Sequence, residues 1–294
     1  MVATIKGHNT YITSIKYFLN EYKKKEYIIS SDYDGFIIIT NFIYISEEYI
    51  SKCAFKTEFG NGQIFCCLML FKLNSYILSN TGNALIFISS KKSNEEDKIS
   101  LLSYVLGNDD KVIFKANLVN LHNKISYILY WDNKKLKKDY LITIGYKKTL
   151  ITGIIDDEQY AIFANEFKIY YHCGLIYNDE MNHNDLLYIT SVQSYIFVYD
   201  LYEKTLIKEI RVSPVFDRLY AILQWNEHYI IVSNSTKSDI KVIDIKQGKM
   251  VGNILIAHED DFRCIKKIKH PKFGYCILTG GDDYTIKLYK PRSI

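Results

Sequence analysis

Residues 12–39 read "ITSIKYFLNEYKKKEYIISSDYDGFIII", and the same pattern returns at residues 125–152 as "ISYILYWDNKKLKKDYLITIGYKKTLIT". Ten of the 28 aligned positions are identical without any gap, including Tyr27 and Tyr140. Apolar residues alternate with polar ones over short runs that end in Asn, Asp, Lys or Gly, which is typical of half-buried strands joined by turns. Each copy therefore predicts three short β-strands.

The closing strand, turn and strand of this pattern recur four more times along the chain. The copies read "YILSNTGNALIFIS", "LLYITSVQSYIFVYDL", "IIVSNSTKSDIKVIDI" and "CILTGGDDYTIKLYK". A unit of several tens of residues that returns along a chain indicates a repeat architecture, in which each unit buries its apolar faces against its neighbours. The sequence therefore predicts an all-β protein built from six copies of one unit.

Short motifs at the ends of the repeats add a family resemblance. A Gly-His pair opens the first copy at Gly7 and His8, and His258 and His122 stand in weaker versions of the same opening. An Asp closes the third strand at Asp200 and Asp244. In these features the chain resembles the WD-repeat β-propeller family, in which Trp-Asp stands at the close. The resemblance implies a single propeller of four-stranded antiparallel blades over residues 1–294.

The spacing of the repeats sets the expected number of blades. The positions equivalent to the signature Trp are Thr40, Ser89, Gly153, Tyr199, Ile243 and Tyr289. Their spacings are 49, 64, 46, 44 and 46 residues, so one interval is too long and none is long enough for a further blade of about 40 residues. We interpret 90–111 as an inserted loop and predict six blades, with seven as the alternative. Residues 2–5, Val2 to Ile5, are expected to join the last blade and close the ring.

The family resemblance also implies buried hydrogen-bonded sets that stiffen individual blades. Each set contains the opening His, a Ser or Thr of the second strand, the turn Asp and the closing residue. Carried over by position, the first repeat offers His8, Ser30 and Asp34, and the last offers His258, Thr279, Asp283 and Tyr289. A hydroxyl at Tyr289 could replace the indole N–H as a donor to Asp283. We expect structural rather than catalytic roles for these residues, because no nucleophile accompanies them.

Charged residues divide between the two kinds of loop. Loops before the first strand and between the second and third strands carry the candidate partner-binding residues Asp32, Tyr33, Asp34, Glu259, Asp260, Asp261, Phe262, Asp282, Asp283 and Tyr284. Loops between the first and second strands carry the candidate basic face, Lys23, Lys24, Lys25, Lys134, Lys135, Lys137, Lys138, Lys269 and Lys272. The acidic set predicts either local turn chemistry or a docking site for a basic partner segment with aromatic anchors. The lysines predict solvated loops, or contact with an acidic protein, a membrane surface or RNA.

Composition and motifs narrow the class of protein. Lys and Arg number 37 against 33 Asp and Glu, a net charge of +4, which does not indicate a nucleic-acid binder by itself. Six cysteines without metal-ligand spacing predict buried, reduced thiols. Neither a phosphate-binding loop nor a hydrolase or zinc motif is present. We therefore expect no enzymatic activity, no cofactor and no metal.

These observations predict a non-catalytic scaffold or adaptor, which would be a monomeric propeller within a complex of several proteins. An RNA- or ribosome-associated propeller that uses the lysine-rich loops is the alternative. No apolar run approaches the length of a membrane-spanning segment, and the start of the chain does not read as a secretion signal. The sequence therefore predicts an intracellular protein of the cytoplasm or nucleus, neither secreted nor inserted in a membrane.

Overall fold

The computed structural model describes a chain of β-strands. The described residues are 3–5, 7–20, 25–32, 36–45, 48–58, 69–71, 84–90, 98–104, 112–118, 125–145, 148–153, 159–164, 170–179, 184–234, 239–255, 258–270 and 272–290. Within these ranges there is no helix, and hence none long and apolar enough to span a bilayer.

The strands are β1 (Ala3–Ile5), β2 (Ile12–Asn20), β3 (Lys25–Asp32), β4 (Phe36–Ile45), β5 (Glu48–Glu58), β6 (Met69–Phe71), β7 (Ala84–Ser90), β8 (Lys98–Tyr104), β9 (Val112–Leu118), β10 (Ile125–Asn133), β11 (Lys138–Gly145), β12 (Lys148–Gly153), β13 (Gln159–Ala164), β14 (Tyr171–Asp179), β15 (Asn184–Ser191), β16 (Tyr195–Asp200), β17 (Thr205–Arg211), β18 (Ile222–Gln224), β19 (Tyr229–Asn234), β20 (Asp239–Asp244), β21 (Lys249–Leu255), β22 (Phe262–His270), β23 (Gly274–Gly281) and β24 (Ile286–Tyr289).

The strands of the described residues form six four-stranded sheets. Five sheets follow the chain, with the orders β2-β3-β4-β5, β6-β7-β8-β9, β10-β11-β12-β13, β14-β15-β16-β17 and β18-β19-β20-β21. The neighbouring strands pair antiparallel, as between β15 and β16, which the short turn 192–194 joins. The all-β prediction is confirmed, and four-stranded antiparallel sheets are the form that propeller blades take.

The sixth sheet joins the two ends of the chain in the order β1-β24-β23-β22. Strand β1 runs antiparallel to β24, with Ala3 opposite Leu288, Thr4 opposite Lys287 and Ile5 opposite Ile286. The predicted pairing of the N-terminal strand with the last repeat is therefore confirmed for residues 3–5, while Val2 lies outside the described residues. The fourth strand that the last repeat lacks in its own sequence is supplied by the first residues of the chain.

The chain divides into two compact units. The first unit comprises Met1–Asn123, Ile268–Gly280 and Tyr284–Ile294, and the second comprises Lys124–Lys267 and Gly281–Asp283. In the second unit, strands β15 and β16 read as nearly continuous apolar runs because they are buried on both faces of their sheet. On one face, Leu187, Ile189, Phe197 and Tyr199 join a core cluster with Trp131, Ile142 and Ile144. On the other, Tyr188, Ile196 and Val198 join a cluster with Ile222, Ile230 and Val232. Consecutive side chains of one strand thus pack into core clusters on opposite faces of the sheet, as the two-residue period of a strand requires.

The second sheet corrects the prediction of an inserted loop at 90–111. Residues 98–104 of that segment form β8, which pairs with β7 and with β9 inside the sheet. Ser89 consequently lies on β7, the second strand of its sheet, and does not hold the third-strand position that the repeat spacing gave it. The interval from Ser89 to Gly153 is long because Ser89 lies on the second strand of its sheet and Gly153 on the third strand of the next, so the interval contains β8 and the connections 91–97 and 105–111.

Candidate functional site

A buried histidine organises the last repeat of the second unit. The side chain of His258 is fully buried, and its Nδ1 lies 2.9 Å from both carboxylate oxygens of Asp283. The ring stacks on Phe262, with centroids 5.9 Å apart and planes at 19°. The backbone N–H of Glu259 donates to Asp283 at 3.4 Å, so the carboxylate ties the start of β22 to the turn after β23. A buried carboxylate with these donors avoids the penalty of an unpaired charge.

Gly281 makes this arrangement sterically possible. A Cβ atom at position 281 would lie 2.8 Å from His258 Nδ1 and 3.0 Å from the carbonyl oxygen of Asp261. The backbone N–H of Asp282 donates to that same Asp261 oxygen at 2.7 Å, which holds the two loops together. The absence of a side chain at Gly281 therefore leaves His258 within reach of Asp283.

In the first repeat, which lies in the first unit, an aspartate at a different aligned position contacts the buried histidine. His8 Nδ1 lies 2.8 Å from Asp32 Oδ2, and His8 Nε2 lies 2.7 Å from Ser30 Oγ. Aligned on the repeat, Asp32 occupies the place of Gly281 and Asp34 the place of Asp283. Asp34, which the sequence assigns to this set, lies outside the described residues, and Asp32 is the described aspartate on the histidine.

The acidic loops of the second unit are partly neutralised. Arg263 makes a two-pronged ion pair with Asp282, in which Nε contacts Oδ1 and Nη2 lies 2.6 Å from Oδ2. Glu259 and Asp260 are exposed, and Asp261 is half-buried. Burial raises the pKa of the Asp261 carboxyl, the charges of Asp282 and Asp260 raise it further, and Arg263 acts against both. The exposed acidic surface therefore centres on Glu259, Asp260 and Asp261, a smaller set than predicted.

The predicted partner-binding role is wrong for two residues, Asp32 and Phe262. Asp32 is 1% exposed, because its carboxylate faces His8 inside the first unit, and it presents no charge to a partner. Phe262 is 0% exposed, because its ring packs under His258, and it belongs to the core instead of anchoring a partner. Tyr33 lies outside the described residues. Tyr284 in the first unit is 44% exposed and lies 5.8 Å from Tyr11 between ring centroids.

Sequence reasoning missed the most exposed aromatic residue of the described part, Phe216, which is 83% exposed beside Val215 at 63%. Both lie in the loop Val212–Tyr220, called here the pinned loop, which joins β17 to β18 in the second unit. The sequence "SPVFDR" could have indicated an exposed apolar loop. It places two apolar residues after a Pro, in a segment between strands whose own residues already form the buried faces.

Hydrogen bonds hold the pinned loop at its base. The hydroxyl of Ser194 donates towards the carbonyl oxygens of Val215 at 2.6 Å and Asp217 at 3.0 Å, and it lies 2.6 Å from the backbone N–H of Asp217. Arg211 Nη2 donates to the carbonyl oxygen of Pro214 at 2.8 Å. Val212 and Leu219, at the two ends of the tip, are buried in the core. The apolar tip is therefore presented to solvent on a fixed backbone.

Side chains connect the pinned loop to the acidic loops within the second unit. The guanidinium of Arg263 lies over the Tyr220 ring, 4.9 Å from its centroid, while it pairs with Asp282. Arg218 Nη1 donates to the Tyr220 hydroxyl at 3.4 Å. Tyr220 of the pinned loop, the two arginines and Asp282 thus form one connected set of side-chain contacts. Aromatic and arginine side chains are enriched at protein interfaces.

The remaining residues that the sequence predicts are those of the last hydrogen-bonded set and the lysines of the basic face. Thr279 donates from Oγ1 to the carbonyl oxygen of Lys287 at 3.4 Å in the first unit, and the proposed bond of the Tyr289 hydroxyl to Asp283 stays a prediction. Exposed lysines of the basic face are Lys134, Lys135, Lys137 and Lys138 in the second unit and Lys269 and Lys272 in the first. Lys23 and Lys24 lie outside the described residues, and only the backbone of Lys25 is described.

The described cysteines and the possible metal ligands were the remaining candidates for a chemical site. Cys173, Cys264 and Cys276 are buried, and burial raises the pKa of the Cys276 thiol. No group of three His, Cys, Asp or Glu side chains in the described ranges is placed to hold a metal ion.

Comparison with known protein families identifies one repeat of the chain. Residues 249–290 match the family model described as WD40, WD domain, G-beta repeat. The match covers β21 to β24, with the His258 set inside it. The chain therefore carries a WD repeat there, and the predicted WD-repeat assignment is confirmed at this repeat. No curated protein matches the chain.

Proposed function

We propose that the protein is a non-catalytic scaffold that binds other proteins as part of a larger complex. In this proposal the six sheets are the blades of one closed propeller, and the pairing of β1 with β24 joins its two ends. The WD repeat at residues 249–290 supports the general role, because WD40 domains typically act as interaction modules. The specific role rests on the site, since a fold alone does not define a function.

The observation that carries the proposal is the pinned loop. Phe216 is 83% exposed although the backbone on both sides of it is hydrogen-bonded and anchored in the core. When a binding loop becomes ordered on its partner, it loses conformational entropy, and this loss opposes binding. An exposed aromatic side chain on a backbone that is already fixed loses little of it. Such residues also dominate the binding energy of known interfaces. We therefore assign Phe216 and Val215 as the apolar anchors of the docking surface.

The surroundings of the anchors indicate the chemistry of the partner. Glu259, Asp260 and Asp261 form an acidic rim that connects to the pinned loop through Arg263 and Tyr220. A partner with an apolar pocket for Phe216 and basic donors around that pocket fits both the anchors and the rim.

Quantitative co-purification tests the proposal with a matched pair of variants. The double substitution Val215→Ser and Phe216→Ser removes the apolar anchors, while Leu206→Ser and Ile207→Ser removes two adjacent exposed apolar residues of β17, which are 45% and 55% exposed. We expect proteins that co-purify with the wild type to fall at least about tenfold with the loop variant, since an interface anchor contributes 2 kcal/mol or more. The same proteins should remain with the β17 variant.

Two outcomes contradict the proposal. If the wild-type chain is recovered alone in repeated purifications, it is not a stable subunit of a complex. If the loop variant retains every partner at wild-type yield while remaining folded by circular dichroism, the pinned loop is not the docking surface.

A further inference from the structure

A cleft of about 180 Å³ opens in the second unit, between the turn that joins β10 to β11 and the turn that joins β16 to β17. Its apolar lining comes from Trp131, Tyr140, Ile151 and Leu201, each at most 5% exposed. Leu136 stands at its edge with 60% of its surface exposed. Neither the pinned loop nor the acidic loops contribute to this cleft, so it stands independently of the docking surface proposed above.

Asn133 lines the cleft and carries an unused donor. Its side chain is 0% exposed, and its Oδ1 accepts the backbone N–H of Leu136 at 2.9 Å, which fixes the orientation of the amide. The amide nitrogen Nδ2 has no hydrogen-bond partner among the described residues. Because a buried amide donor without a partner is unfavourable, a ligand that accepts from it would gain affinity.

The wall of the cleft is held in place before any ligand arrives. Trp131 Nε1 donates to Asp185 Oδ2 at 2.8 Å, and the Tyr202 hydroxyl donates to the same oxygen at 2.7 Å. The Trp131 and Tyr202 rings meet edge to face at 5.5 Å. The pKa of Tyr202 is raised, because its hydroxyl is partly buried and donates to the Asp185 carboxylate. The hydroxyl therefore remains a donor, and the cleft keeps its shape.

The rim of the cleft is positively charged. Lys204 lines it, and Lys135 Nζ lies 3.8 Å from the Tyr202 ring centroid and 3.5 Å from Asn184 Oδ1. Three more exposed lysines follow in the same turn region: Lys134, Lys137 and Lys138. The exposed acids nearby are Asp132 and Glu203. Asp185 and Asp200 are buried and accept hydrogen bonds from Trp131, Tyr202 and Asn184. Cationic groups therefore outnumber exposed anionic ones at the rim.

We propose that this cleft binds a short acidic peptide segment of a partner protein, with one apolar side chain inserted and a carbonyl or carboxylate oxygen accepting from Asn133. The volume is below the roughly 300–1,000 Å³ of small-molecule pockets, which favours a single inserted side chain over a free metabolite. Bases of RNA need open aromatic faces for stacking, whereas the Trp131 and Tyr140 rings are 5% and 2% exposed. The lysines at the rim complement acidic residues on either side of the inserted one.

Peptide selection tests the proposal on the full chain. A library of random peptides displayed on phage is selected against the wild-type protein, and the affinities of the enriched peptides are measured by fluorescence anisotropy. We expect enrichment of peptides with Asp and Glu around one Leu, Ile, Met or Phe. The variant Asn133→Asp keeps the acceptor for the Leu136 N–H but loses the donor, so affinity should fall at least about tenfold.

Charge-reversal variants keep the test decisive if Asn133→Asp lowers stability. Lys134→Glu with Lys138→Glu should weaken the peptides about tenfold or more. The control Lys246→Glu with Lys249→Glu changes two exposed lysines, one in the β20–β21 turn and one at the start of β21, and should leave affinity within about twofold. Enriched peptides that bind all variants equally, or a library that yields no cleft-dependent peptide, overturn the proposal. So does an oligouridine RNA that binds the wild type and is lost with the cleft variants, because RNA would then be the ligand.

Discussion

At the scale of single residues, the first and the last repeat hold their buried histidine in two different ways, and the difference lies at one aligned position. Asp32 holds His8 directly in the first repeat, whereas Gly281 occupies the equivalent place in the last repeat and lets Asp283 reach His258. The residue at this position therefore has a different role in the two repeats: Asp32 contacts the histidine itself, and Gly281 leaves room for the contact that Asp283 makes.

Gly281→Ala should destabilise the protein by about 1–3 kcal/mol, since its methyl group would overlap His258 Nδ1 and the Asp261 carbonyl. Urea denaturation measures the change in the free energy of unfolding. The matched control is Gly252→Ala in β21, where an added Cβ meets no atom within 4 Å and should leave stability unchanged or raise it. Equal effects of the two substitutions would contradict the steric account.

His270 should make the protein less stable in mild acid. Its side chain is buried, its Nδ1 accepts the backbone N–H groups of Lys272 at 3.1 Å and Phe273 at 3.0 Å, and burial lowers its pKa, with Lys272 lowering it further. Because the unfolded chain then binds a proton more readily than the folded one, this contribution is complete above the ordinary pKa of about 6.5 and declines as the pH falls below it.

The variant His270→Asn isolates this effect, because an amide oxygen can accept the same backbone N–H groups without titrating. Unfolding free energies measured between pH 7.5 and 5 should fall more steeply for the wild type than for the variant. Parallel curves would show that His270 does not carry the pH dependence.

Residue types were more predictable than residue environments. Asp32 and Phe262 belong to residue classes that bind partners, yet the fold buries both, and Phe216 was overlooked in a loop without a repeat motif. Alternation within a strand predicts which side chains face a core, but the burial of a loop residue depends on a distant contact such as Ser194 to Asp217. No local pattern contains that information.

At the scale of elements, repeated strands were readable because each buries side chains at a two-residue period, and the predicted pairing of residues 3–5 with the last repeat is present. The second repeat was misread, because β8 lies in a charged segment and its neighbours are separated by long connections. Turn chemistry predicts short hairpins well, whereas the pairing across connections such as 91–97 is set by the neighbouring strands.

Deleting residues 1–5 should lower the thermal midpoint and increase aggregation, since removing β1 exposes the edge of β24 to other chains. Differential scanning fluorimetry and light scattering measure the two effects. Deletion of residues 291–294 is the control for the loss of terminal residues in general. A chain without residues 1–5 that melts and scatters like the wild type would show that β1 contributes no protection.

At the scale of the whole molecule, a scaffold of repeats requires every sheet to find a neighbour for each apolar face. Strands β15 and β16 do so on both sides within the second unit. If the six sheets close into one propeller, a 294-residue chain should have a radius of gyration of about 19 Å in solution. Small-angle X-ray scattering measures this quantity, and a substantially larger value would indicate separate bodies and no closed ring.

Under the proposed function, the protein docks a partner on the pinned loop. A photo-reactive benzoyl-phenylalanine at position 216 tests it most directly, with the same group at position 207 of β17 as the control, because both positions are exposed in the second unit. After irradiation in native extract, we predict a defined cross-linked partner from position 216 and none of the same mass from position 207. No adduct at position 216, or identical adducts from both positions, would contradict the account.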